Sequence, residues 1–288
     1  MKHLFPFIAL LLLGHTLFGQ SKAIGKKDDE VLQEGLRLYR SELTSWYGTD
    51  LFMERLQDKA PLLGGYLSYQ EGNQMKCVFF TKDQKPSALV VITFDSTFNL
   101  QKVQIEDQQR PLTSLEEDLI TIRQTALARI NADTLFRNYN NASLNLVPLI
   151  DKSSKKVYVL TGPKIHGVVL FGNDYLLTFD KDNKIRSVKK LHQNLIPVQS
   201  AADSKELGKQ IVTTMHSHLP ESGDHITATD ICTLLLYQKF TTWKQHLVLT
   251  PNNVSIWDCS ASKLVTMSKE AWEKMSNQEK LLSPPETN

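Results

Sequence analysis

The apolar positions change period along this chain, and each change marks an element. Leu32, Leu36, Tyr39, Leu43 and Trp46 recur at spacings of 4, 3, 4 and 3, one apolar face of a helix. Gly48 is the expected end of that helix, with Asp50 capping a further short helix through Leu56. From residue 65 the period drops to two. Stretches 65–69 and 75–80 flank a turn at Gly72 and Asn73. Residues 88–94 are β-branched and nearly continuous, as in a strand buried on both faces. Residues 100–105 alternate and pair naturally with it, which gives an antiparallel meander. Thr113 with Glu116 three residues on is a capping-box pattern. The helix it opens places Leu115, Leu119, Ile122, Ala126 and Ile130 on one face.

The Asn-rich stretch 138–145 is the expected domain boundary. Beyond it, 157–160, 168–179 and 185–195 carry strand patterns, the last two joined by the turn 180–184. That turn lacks the glycine and terminal glutamate of a calcium loop and reads as a solvated turn. Residues 204–209 form a short polar helix or loop. A β-branched strand follows at 210–215, then a helical run at 231–237. Strands at 244–249 and 254–257 flank a turn at 251–253, a strand covers 264–267, and a capped helix covers 268–275. The fold class is therefore mixed α/β (α+β). An N-terminal helix and antiparallel meander occupy 30–137, a mixed α/β domain occupies 146–276, and 277–288 is a disordered tail.

Residues 1–19 have the pattern of a secretory signal peptide: Lys2, an apolar run from Leu4 to Leu13, and Gly19 as a small residue before Gln20. The apolar part is shorter than the roughly 20 residues that span a bilayer, so no stable membrane insertion is expected after cleavage. A retained anchor is the alternative. No cysteine lies near the cleavage site to mark a lipoprotein. The polar, lysine-rich segment 20–29 is expected to be flexible, and the protein to be secreted or periplasmic. With 33 basic and 31 acidic residues, the chain has no electrostatic footprint for nucleic acid or an anionic membrane. Its three cysteines, Cys77, Cys232 and Cys259, allow at most one internal bridge and show no zinc-finger spacing. Cys232, in an apolar helical run, reads as a buried small hydrophobe.

One stretch has metal-capable side chains at a meaningful spacing. His216 and His218 follow a strand and are two residues apart, so they share a face. Two imidazoles on one face can grip one ion at about 2.0–2.1 Å. Asp230 opens the helical run, with Thr227 or Thr229 as its N-cap, and the loop between can return it to the histidines. The alternative is a pair of hydrogen-bonded histidines in a loop. His192, after Lys189 and Lys190, would join the cluster if its strand neighbours that of His216, and is otherwise an edge histidine. There is no Gly-x-Ser-x-Gly elbow and no phosphate-binding glycine loop.

This stretch resembles the JAMM (MPN-type) metallopeptidases, whose signature is His-Ser/Thr-His-Pro, a short loop, then Ser-x-x-Asp opening a helix. Here it stands as His216, Ser217, His218, Leu219, Pro220 and then Thr227, Ala228, Thr229, Asp230. The departures are an inserted leucine, a longer loop and threonine for serine. The resemblance covers about residues 155–260. It implies zinc ligated by His216, His218 and Asp230, with Thr227 helping to hold the site's water and oxyanion. The implied substrate is a peptide or protein, cleaved at a peptide or isopeptide bond. The family's general base is a glutamate upstream of the histidines, yet no glutamate occurs between Asp118 and Lys205. Glu221, in the loop between the ligands, is the candidate replacement. His166, Asp174 and His192 are others. The alternative is a non-catalytic binding or scaffold module of the same fold.

Overall fold

The structure, a computed structural model, describes the backbone of residues 7–200 and 210–282 and the side chains of 24–200 and 210–277. The chain is mixed α/β, and its contacts divide it into two compact units. One comprises Met1–Gly35 and Ser200–Asn288, the other Leu36–Gln199. This division does not fall at the Asn-rich stretch 138–145. The expected signal peptide lies where no side chain is described, and residues 1–6, 204–209 and 283–288 lie outside the described residues altogether. Among the described residues, no helix is long and apolar enough to cross a membrane.

Helix α1 runs from Phe7 to Arg55 without a break, which corrects two expectations. Segment 20–29 is helical rather than flexible. Its lysines and alanine are good helix formers, Lys27 pairs with Glu30 at 3.3 Å, and Asp28 Oδ1 sits 3.5 Å from His225 Nδ1. Gly48 does not end the helix. A Cβ there would lie 2.5 Å from Cys77 Sγ, so the glycine serves a close approach to a strand. The predicted apolar face also misses Leu38, which is completely buried.

In the Leu36–Gln199 unit, β1 (Leu63–Glu71), β2 (Gln74–Thr81), β3 (Ser87–Phe94) and β4 (Gln104–Glu106) form the expected antiparallel meander, except that Leu100–Lys102, expected to be part of the last strand, is a 3-10 turn capped by Asn99. The short β5 (Arg110–Pro111) also pairs with β3. Both faces of this sheet are covered. On one, Leu51, Phe52 and Leu56 of α1 pack with Met75, Cys77, Phe79, Val90 and Ile92. On the other, Leu119 and Ile120 of α2 (Ser114–Ala132) meet Leu67, Val78, Phe80 and Val91. The capping box of Thr113 and Glu116 is present. Leu115, assigned by spacing to the buried face, is 37% exposed; it lies on the packed stripe but in the first turn of the helix, at the end of that stripe.

Helix α2 serves a second sheet as well. Ile122, Ala126 and Ile130 pack with Leu146, Val157, Val159, Tyr175 and Leu177. These belong to a sheet of order β10-β9-β7-β6, built from β6 (Ala142–Ile150), β7 (Lys155–Pro163), β9 (Tyr175–Phe179) and β10 (Ile185–Lys190). Strand β6 begins inside the stretch expected to be a linker. The single run expected at 168–179 is two strands, β8 (Val168–Gly172) and β9. Gly172 at the end of β8 and Asn173 after it both have positive φ, 81° and 54°, and turn the chain. Strand β8 then pairs with β11 (Leu195–Gln199) in a separate ribbon.

In the other unit, β12 (Thr213–Ser217), β13 (Gln245–Leu249), β14 (Asn253–Asp258) and β15 (Lys263–Ser268) form one sheet in that order. Strands β12 and β13 are parallel and joined through α3 (Ala228–Tyr237). The other pairs are antiparallel. Helix α1 crosses α3 closely within this unit: a Cβ on Gly35 would lie 2.5 Å from Ile231 Cβ and 3.1 Å from the Ala228 carbonyl. Helix α4 (Lys269–Leu282) starts after Ser268, whose Oγ accepts from Ala271 N. All three cysteines are buried and unbridged.

Candidate metal centre

Strand alternation places the two histidines. Thr214 and His216 point inward from β12 while Thr213, Met215 and Ser217 are exposed. His218, two residues on, keeps that side and is 5% exposed. Asp230 is placed by the start of α3. The Thr227 Oγ accepts from Asp230 N at 3.1 Å, and Asp230 Oδ2 accepts from Thr227 N at 2.9 Å. Asp230 is the third residue of the helix, where the helix dipole favours a carboxylate.

The three side chains meet at their tips. His216 Nε2 and His218 Nε2 are 3.1 Å apart. Asp230 Oδ1 is 3.5 Å from His216 Nε2, and Asp230 Oδ2 is 3.2 Å from His218 Nε2. All three side chains are at most 1% exposed. His218 Nδ1 lies 3.0 Å from the His225 carbonyl, which can only accept, so the ring's Nδ1–H donates there. In a neutral His218 the Nε2 is then an unprotonated lone pair. It faces a carboxylate oxygen and another imidazole nitrogen. Acceptors converging in a buried place repel unless a proton or cation sits among them. The group can hold a metal ion: its donor atoms lie within 4.8 Å of one another, and imidazole with carboxylate is a set that zinc accepts.

Behind the cluster lies a residue with no role in the sequence reading. His246 on β13 sits opposite Thr214 in the parallel register. Its Nδ1 is 2.7 Å from Thr214 Oγ1 and its Nε2 is 2.8 Å from His216 Nδ1. Trp243 stacks on it with ring centroids 5.8 Å apart. Burial first, then the neighbouring His216, pushes its pKa down to about 3, so it is neutral near pH 7. Its signal in the sequence was faint: a histidine within an otherwise apolar strand reached by a helical crossover.

The catalytic candidates fare differently. Thr227 Oγ1 donates to Asp230 Oδ2 at 2.7 Å, so its hydroxyl is engaged in fixing the aspartate. A role at an oxyanion would require that bond to be exchanged. Glu221 is exposed in the turn Pro220–Ser222 and makes no hydrogen bond or ion pair among the described residues. His166 is exposed in the other unit. Asp174 and His192 are buried in that unit, with His192 Nδ1 3.3 Å from Asp174 Oδ2. No family model, no curated protein and no solved structure matches this chain.

Proposed function

We propose that the chain is an exported, metal-stabilised module, its ion held by His216, His218 and Asp230 and most suitably zinc. One observation carries this reading: three mutually facing donor atoms on side chains at most 1% exposed. Such a centre organises the segment between β12 and α3. Two imidazoles and a carboxylate are ligands zinc accepts, and with three protein donors the fourth position falls to water. When bound, zinc would supply a Lewis acid able to polarise a carbonyl. The chain's own residues supply the rest of the support: Thr227 orients Asp230, and the His225 carbonyl orients His218.

A second reading, a JAMM-like peptidase, is favoured by the order His216, His218, Thr227, Asp230 and by the crossover helix that follows. Burial of the donors and the exposure of Glu221 weigh against it, since a peptidase needs substrate access and a positioned proton acceptor. The deciding experiment is elemental analysis and thermal melting of the purified chain, with and without chelator. About one zinc per chain is expected, lost in His218→Ala. Ligand at 1,000 times its Kd adds about 4 kcal/mol of stability, so chelation should lower Tm markedly. Stoichiometric metal that survives both histidine substitutions would place the ion elsewhere. No uptake under any loading condition would leave hydrogen-bonded histidines.

A further inference from the structure

Resting on that metal centre, we infer that His246 is its positioning residue: it dictates which nitrogen of His216 is free to bind the ion. Thr214, His246 and His216 form a line of two hydrogen bonds, 2.7 and 2.8 Å long. Two proton arrangements satisfy this line. In one, Thr214 Oγ–H donates to His246 Nδ1, and His246 Nε2–H donates to His216 Nδ1. His216 then carries its proton on Nε2, which points into the cluster 3.1 Å from His218 Nε2. That proton satisfies the cluster and blocks ligation.

In the other arrangement every bond is reversed. His216 Nδ1–H donates to His246 Nε2, His246 Nδ1–H donates to Thr214 Oγ1, and His216 Nε2 is left as a lone pair. Only this arrangement presents an acceptor to a cation. Ion uptake therefore moves the proton of each imidazole from Nε2 to Nδ1, with no net loss of protons, and reverses the direction of two hydrogen bonds. His246 can serve both arrangements because a neutral imidazole has one donor and one acceptor nitrogen. Partners of this kind behind a ligating histidine typically contribute 10–100-fold in metal affinity. The Trp243 ring packs beside His246, its plane 27° from that of the imidazole.

The test is nitrogen NMR of the full chain labelled at histidine, before and after zinc is added, with affinity measured by chelator competition. Before zinc, His216 and His246 should both carry their proton on Nε2. With zinc, both should carry it on Nδ1, and His246 should show no coordinated nitrogen. His246→Leu should bind zinc 10–100-fold more weakly, while His246→Gln, whose amide oxygen can accept from His216 Nδ1, should recover most of the loss. A wild-type chain that takes up no zinc removes the metal centre and this role together. Normal zinc uptake with His246 still protonated on Nε2, or coordinated, overturns the positioning role alone. The NMR arm uses wild-type protein, so it decides even if His246→Leu fails to fold.

Discussion

Thr227 and Asp230 hold one another reciprocally, hydroxyl to amide at 3.1 Å and carboxylate to amide at 2.9 Å. One pair of side chains thus starts α3 and aims a donor at the histidines. Thr227→Ala should cost about 1 kcal/mol as a lost N-cap and also weaken zinc binding about tenfold or more, as loss of a supporting hydrogen bond does. Thr227→Ser should preserve both. Melting and chelator competition on the same three proteins check this. An alanine variant that loses stability but keeps full affinity would separate the cap from the site.

Gly35 faces Ile231 where α1 crosses α3. An alanine there gains about 1 kcal/mol of helix propensity, but its Cβ would meet the Ile231 Cβ at 2.5 Å. Overpacking costs about 1–3 kcal/mol, so the clash should win and Gly35→Ala should melt lower. Combining it with Ile231→Ala should recover part of the loss. A stabilised Gly35→Ala would mean that the helices are not in contact here.

Glu42 is buried and accepts a hydrogen bond from Asn145 Nδ2. Burial pushes its pKa from 4.5 up to about 7, opposed by Asn145 and by the charge of Arg123. Between those pH values the folded chain holds a proton that the unfolded chain has released. Stability should therefore fall as pH rises from about 4.5 to about 7, then level off, by on the order of 3 kcal/mol. Glu42→Gln should flatten that interval and melt higher than wild type at pH 8. Denaturant melts at several pH values measure it, and an unchanged slope would remove Glu42 as its cause.

Zinc-loaded protein should turn over generic peptides weakly or not at all. A positioned acid or base is typically worth 10²–10⁴-fold, and Glu221 is exposed in its turn. A peptide library with His218→Ala as the blank gives the answer. Robust turnover absent from the blank would favour the peptidase reading, and single substitutions of Glu221, His166, Asp174 and His192 would then identify the base.

Features encoded in a few adjacent residues were legible in the sequence. The meander, the Thr113–Glu116 capping box, a threonine N-cap before Asp230 and the convergence of His216, His218 and Asp230 follow from alternation and helix-start chemistry between near neighbours in the chain. What escaped depends on distant partners. His246 matters because parallel pairing sets it opposite Thr214. Gly48 resembles a helix stop until Cys77 is seen beside it. The split of 168–179 turns on backbone angles at Gly172 and Asn173, and β6 hides in a stretch whose asparagines suggest a linker.

Helix α2 gives Leu119 and Ile120 to one core and Ile122, Ala126 and Ile130 to another. Neither sheet can shed it without exposing an apolar stripe, so the two sheets should melt as a single cooperative transition. A fragment cut after residue 137 would carry that uncovered stripe and should aggregate, however natural the break looks in the sequence.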